Sequence, residues 1–133
     1  MNEAFDRQQV IAYRMGRARE TLQDAQLLFR NGGSPESIIN RAYYAIFYAT
    51  LALMAEQGIN LSRHSSVIAR FDQDFVKSGL FPKSMSRILH RAFYLRQFGD
   101  HREMLNLTSQ QAEEILRDTE QFLRTVEAYF QRN

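Results

Sequence analysis

No cysteine occurs among the 133 residues, which removes disulfides, thiolate nucleophiles and cysteine-based zinc or iron–sulfur centres from consideration. The absence suits a reducing compartment. Also missing are a glycine-rich phosphate loop, the H-x-x-x-H and H-E-x-x-H spacings that aim two imidazoles at one metal, and the G-x-S-x-G nucleophile elbow. His64, His90 and His101 are far apart in sequence, so neither a metal nor a cofactor is expected. The segment Met1 to Gln9 has no basic-then-apolar signal pattern, and a cytoplasmic location is expected. The longest apolar run, Ala42 to Ala55 broken only by Thr50, falls short of the roughly 20 residues of a membrane span and reads as a buried core helix. No segment alternates as a strand does, and there is no repeat, low-complexity tract or interdomain linker.

What is present is helical. A chain of 133 residues with 44% hydrophobic content is one domain, residues 1–133, large enough to bury its own core. Ile11, Met15, Ala18, Leu22, Ala25 and Phe29 recur at four- and three-residue steps and predict a first helix over about 5–30. Asn31-Gly32-Gly33 stops it, Ser34 caps a second with Pro35 at its first position, and Gly58 ends that one. The second helix is apolar nearly all round and should be central, its alanines admitting close neighbours and its tyrosines burying their rings. A third helix, about 65–77, buries Val67, Ile68, Phe71 and Phe75, and a fourth runs from near Pro82 to Gly99. Thr108-Ser109-Gln110-Gln111 is a capping box opening the fifth, whose stripe includes Ile115, Thr119, Phe122, Val126 and Phe130. The expectation is an all-α, up-and-down antiparallel bundle of about five helices.

One residue breaks this pattern. The fourth-helix stripe runs Met85, Ile88, Leu89, Ala92, Phe93, and the next apolar slot is filled by Arg96, a guanidinium that cannot shed its proton to ease burial. A cation there needs an anion. Gly99 is suited to a left-handed residue after the helix, and His101 follows it, so a fixed cation and a group titrating near neutrality could share one site. The alternative is an ordinary arginine on helix-terminal carbonyls and a solvated histidine. Net charge is only +2, but Lys83, Arg87, Arg91, Arg96 and Arg102 cluster against the single acid Asp100. Glu103 to Asn133 holds six acids against three arginines. Such a surface attracts a phosphate chain, or pairs with the acidic helix. His90, beside Arg87 and Tyr94, reads as exposed; His64, at a helix entrance, reads as capping or packing.

Four segments together carry a resemblance. Arg41-Ala42-Tyr43-Tyr44-Ala45-Ile46-Phe47-Tyr48-Ala49, then Arg63-His64-Ser65, then Phe71-x3-Phe75-Val76-Lys77-Ser78-Gly79, then Ala92-Phe93-Tyr94-Leu95-Arg96-Gln97-Phe98-Gly99-Asp100 resemble the HEPN superfamily. The nearest branch is that of small stand-alone, HepT-like proteins encoded beside minimal nucleotidyltransferases. The resemblance implies one HEPN-like helical domain that forms a homodimer, with an R-x(4–6)-H motif from each protomer meeting at the interface. Nuclease members cut RNA there without metal. Carried over by position, the catalytic pair is Arg96 and His101, with Gln97, Asp100, Arg102 and Arg91 as binding or supporting residues. Members of this branch commonly have an aspartate-tyrosine pair where this chain has Asp100-His101. HepT-type toxins carry a modifiable tyrosine where Glu103 stands. Two functions follow: an endoribonuclease toxin of a toxin–antitoxin pair, or a non-catalytic subunit that binds nucleotide or substrate for a partner nucleotidyltransferase. No membrane partner is implied.

Overall fold

The ends of the helices are set by local chemistry. In a computed structural model of the chain, which describes residues 3–99 and 106–132, α1 spans Glu3–Arg30 and α2 spans Pro35–Glu56. The Ser34 hydroxyl accepts the Ser37 amide at 3.2 Å, satisfying one of the four amides that a helix start leaves free. Between the two helices Gly32 takes φ +75°, a conformation costly to a residue with a Cβ, and the chain reverses. Gly58 does the same after α2, at φ +70°. Residues 57–63 then carry the chain back along α2 to α3, His64–Phe71.

The third helix departs from the predicted uninterrupted span of about 65–77. After Phe71 it widens into one π-helical turn, Asp72–Val76, where the Lys77 amide donates to the Asp72 carbonyl at 2.8 Å. Phe71 and Phe75 are both fully buried and stack with Phe81 at ring separations of 5.9–6.1 Å. α4 runs Lys83–Gly99 and so continues through Gly99, which was expected to lie just beyond its end. α5, Ser109–Arg132, opens on the predicted box: the Thr108 amide donates to Gln111 Oε1 at 2.8 Å and the Gln111 amide to Thr108 Oγ1 at 3.1 Å.

The result is an all-α bundle with no strand among the described residues. α2 packs on α1, α3, α4 and α5, as an element apolar on every side must. By length and composition α2 could cross a membrane, yet it lies mostly inside the bundle. Its most extensive packing is with α1; Ala18 and Ala25 of α1 and Ala42, Ala45 and Ala49 of α2 are completely buried, and small side chains let backbones come together. The predicted stripes of α4 and α5 are buried, with Phe93 and Phe130 half-covered. Three elements thereby converge at the N-terminal half of α2: its own tyrosines, the first residue of α3, and the last turn of α4.

Candidate functional site

Tyr43, Tyr44, Phe47 and Tyr48 lie on neighbouring turns of α2 because residues three and four apart share a helix face. Tyr43 is fully buried; Tyr44 and Tyr48 are half-buried with their rings toward the edge of the bundle. Arg96, in the last turn of α4, reaches across them. Its guanidinium carbon stands 5.7 Å from the Tyr43 ring centre and 5.4 Å from that of Tyr44, inside the range where the ring quadrupole attracts a cation. Nη2 donates to the Tyr44 hydroxyl at 3.2 Å, while Nε is buried with no hydrogen-bond partner. Among the described residues no carboxylate pairs with this arginine.

His64 completes the cluster. Its ring stacks on Phe47 at 4.0 Å, and Nδ1 is 2.7 Å from the Tyr43 hydroxyl. Burial and then the Arg96 charge push the imidazole below its ordinary 6.5, and burial pushes the Tyr43 hydroxyl well up. At neutral pH the Arg96 cation therefore stands beside a neutral imidazole and the neutral Tyr43 phenol. The cation–ring pattern extends along the same face: Arg41 lies 5.3 Å over Tyr44, and Arg17 lies 5.2 Å over Tyr48.

The sequence-predicted residues are distributed unevenly. Arg96 is in the cluster. Gln97 is exposed on the next position of α4. Arg91 faces α5 instead, 2.8 Å from Glu114 and 3.9 Å from Asp118, so that part of the basic stretch pairs with the acidic helix inside the fold. Asp100, His101 and Arg102 lie outside the described residues. His90 is exposed, as expected, and bonds Asp72 Oδ2 through Nε2 at 2.6 Å; Asp72 also accepts from Ser86. His64 does not cap α3: Arg63 is the N-cap residue and makes no side-chain cap bond. The packing role expected of His64 is real, and its hydrogen bond to the site was missed; the available signal was the Arg63-His64-Ser65 segment of the resemblance. A cavity of about 540 Å³ lies elsewhere, at the Glu56 end of α2 between Arg7, Met15 and Phe130, and no member of the cluster lines it. Among the described residues no three histidines or carboxylates come together as metal ligands.

The model of the HEPN domain matches residues 11–129, which takes in every element of this site. The chain belongs to the HEPN domain family. A UPF0332 protein of Thermotoga maritima is 38% identical to this HEPN chain over 127 residues, covering 96% of the chain and 93% of the relative. Two relatives from Methanocaldococcus jannaschii carry the names "Putative toxin MJ0605" and "Putative toxin MJ0142". The first is 33% identical, covering 80% of this chain and 78% of its own; the second is 26% identical, covering 85% and 76%. The HEPN assignment agrees with the resemblance read from the four sequence segments, and the toxin names belong to those two relatives.

Proposed function

We propose that this HEPN protein is a metal-independent endoribonuclease, the toxin of a toxin–antitoxin pair, acting in the cytoplasm on RNA. The observation that carries the reading is the state of Arg96. A guanidinium brought half inside a protein loses hydration, and its usual compensation is a carboxylate. Among the described residues the compensation is two tyrosine rings and one hydroxyl, with Nε left without a partner. Such a cation is set for an anion from outside, and a planar fork is well matched to phosphate oxygens.

Metal-free RNA cleavage needs a base for the 2′-hydroxyl proton, an acid for the 5′-oxygen leaving group and a cation for charge gathering on the phosphate. One Arg96–His101 pair is too few groups; two pairs related by a twofold axis supply two imidazoles and two forks. The functional unit is accordingly a homodimer in which the α4 C-termini approach each other, with Gln97, Asp100 and Arg102 supporting the composite site. The product is a 2′,3′-cyclic phosphate, and DNA, lacking the 2′-hydroxyl, is inert. A minimal nucleotidyltransferase is the natural antitoxin partner.

The deciding experiment compares wild type with His101→Ala on single-stranded RNA in EDTA, with end-group analysis. A cyclic phosphate formed only by wild type supports the nuclease. Equal residual activity in both proteins, or none in either, replaces it with the non-catalytic subunit that binds nucleotide for a nucleotidyltransferase. Light scattering supplies the second check: a concentration-independent mass near the 15.6 kDa of one chain contradicts the composite site.

A further inference from the structure

We propose that His64 is a working member of the same site, a neutral hydrogen-bond donor whose Nε2–H holds a phosphate oxygen together with the Arg96 guanidinium. The inference rests on the ribonuclease reading and assigns a role to a residue which that reading leaves idle.

The tautomer follows from hydrogen-bond accounting. Tyr43 is fully buried, and the partner given to its hydroxyl is His64 Nδ1, at 2.7 Å. A buried hydroxyl whose proton has no acceptor carries the full cost of desolvation, so Tyr43 donates and Nδ1 accepts. In a neutral imidazole the other nitrogen then bears the hydrogen. Protonating Nδ1 would turn the phenol proton back into an aromatic core. Among the described residues the titratable and charged groups facing the ring are Tyr43 and Tyr44 from α2 and Arg96 from α4, and no carboxylate is among them to favour the imidazolium.

Position follows from packing. Stacking on Phe47 at 4.0 Å, with the ring planes 16° apart, fixes the imidazole plane. His64 lies 5.7 Å and 5.9 Å from the Tyr43 and Tyr44 ring centres, and Arg96 lies 5.7 Å and 5.4 Å from the same two. Two donors thus flank one pair of tyrosines. Among the described residues Nε2 has no hydrogen-bond partner and is not buried, so its edge of the ring is open. A donor that is neutral and held in place stabilises charge developing on a non-bridging oxygen without competing for the 2′-hydroxyl proton. His64 is therefore distinct in task from His101, which must exchange protons.

The test uses the full chain and a single-stranded RNA oligonucleotide. His64→Ala is expected to lower kcat about 10²-fold, the scale for removing one positioned donor. His64→Gln, whose amide N–H stands near the Nε2 position and does not titrate, is expected to stay within about tenfold of wild type at unchanged pH dependence. Equal losses in the two variants, with folding intact by circular dichroism, overturn the donor role. No loss in His64→Ala while Arg96→Ala and His101→Ala are inactive overturns it too, and leaves the ribonuclease reading standing. If wild type itself does not cleave, that reading fails, and nitrogen-15 NMR of the imidazoles decides the inference by itself. Hydrogen on Nε2 at neutral pH, with a response to inorganic phosphate that disappears in Arg96→Ala, supports it. Hydrogen on Nδ1, or no response to phosphate, overturns it.

Discussion

Arg19 and Arg96 are both half-buried arginines on long helices, and the bundle treats them in opposite ways. Arg19 on α1 gives Nη2 and Nε to Glu127 at 2.7 and 3.3 Å and Nη1 to Glu120 at 2.8 Å, so its whole fork is spent on two carboxylates of α5. Arg91 repeats this on a smaller scale between α4 and α5. Arg96 meets aromatic faces and one hydroxyl. The first arrangement satisfies charge within the chain and ties α1 to α5. Among the described residues the second leaves the charge without a carboxylate, and the proposed phosphate site rests on that difference.

The largest expected effect separates the two arginines by what they lose. Arg96→Ala should cost at least about 10²-fold in RNA cleavage, the scale of a lost transition-state cation, with only a small fall in melting temperature, because the lost ring contacts and Tyr44 bond are set against the relief of an unsatisfied buried Nε. Arg96→Lys should recover little, since a point charge cannot reproduce the fork. Cleavage at wild-type rate in Arg96→Ala would erase the contrast.

Next comes the scaffold common to both. Ala45 and Ala49 are completely buried in α2, and Ala45→Leu or Ala49→Leu should destabilise by about 1–3 kcal/mol through overpacking. Urea denaturation measures it; midpoints equal to wild type would mean that α2 is not the tightly packed centre.

A smaller effect belongs to the paired arginine. Arg19→Met should lower stability by about 1 kcal/mol, as expected for a partly exposed charge-assisted network, and leave cleavage unchanged. A double-mutant cycle with Glu127→Gln should show that the two substitutions are not additive; additivity would mean that the fork contributes nothing.

The smallest effect is a pair of pH windows. Burial alone would raise the Glu120 carboxyl, but the Arg19 hydrogen bond, with the charges of Arg19 and Arg124, outweighs it and holds the group below 4.5. The folded state thus gains stability above 4.5 that is lost as pH falls through the depressed value. His64 is held below 6.5 by burial and Arg96, so its contribution is complete above 6.5 and declines as pH drops from there toward the folded value. Stability measured against pH should lose the lower step in Arg19→Met and the upper step in His64→Gln. Unchanged profiles in both variants would refute the assignment of these two groups.

Helix positions were legible in the sequence wherever the deciding interaction lies within a few residues. Thr108 and Gln111 are three apart, Ser34 and Ser37 likewise, and the periodic stripes of α4 and α5 state their own buried faces. The fourth-helix stripe also exposed Arg96, because a guanidinium in an apolar slot is a local contradiction that needs no neighbour to be seen. The π-helical turn after Phe71 was not legible: its residues read equally well as an α-helix, and the widening answers to where Phe71, Phe75 and Phe81 must stack.

By itself, then, the sequence determined five helical segments, the capped starts of α2 and α5, a central α2 and one misplaced cation, since propensity, capping and periodicity are short-range properties of the chain. Only the tertiary structure decided what surrounds that cation. Tyr44 is 52 residues from Arg96, and Tyr43 is 21 from His64. Which rings they meet depends on the angle at which α4 and the start of α3 cross α2. The crossing is fixed by interdigitation of whole helix faces, and no local pattern encodes it.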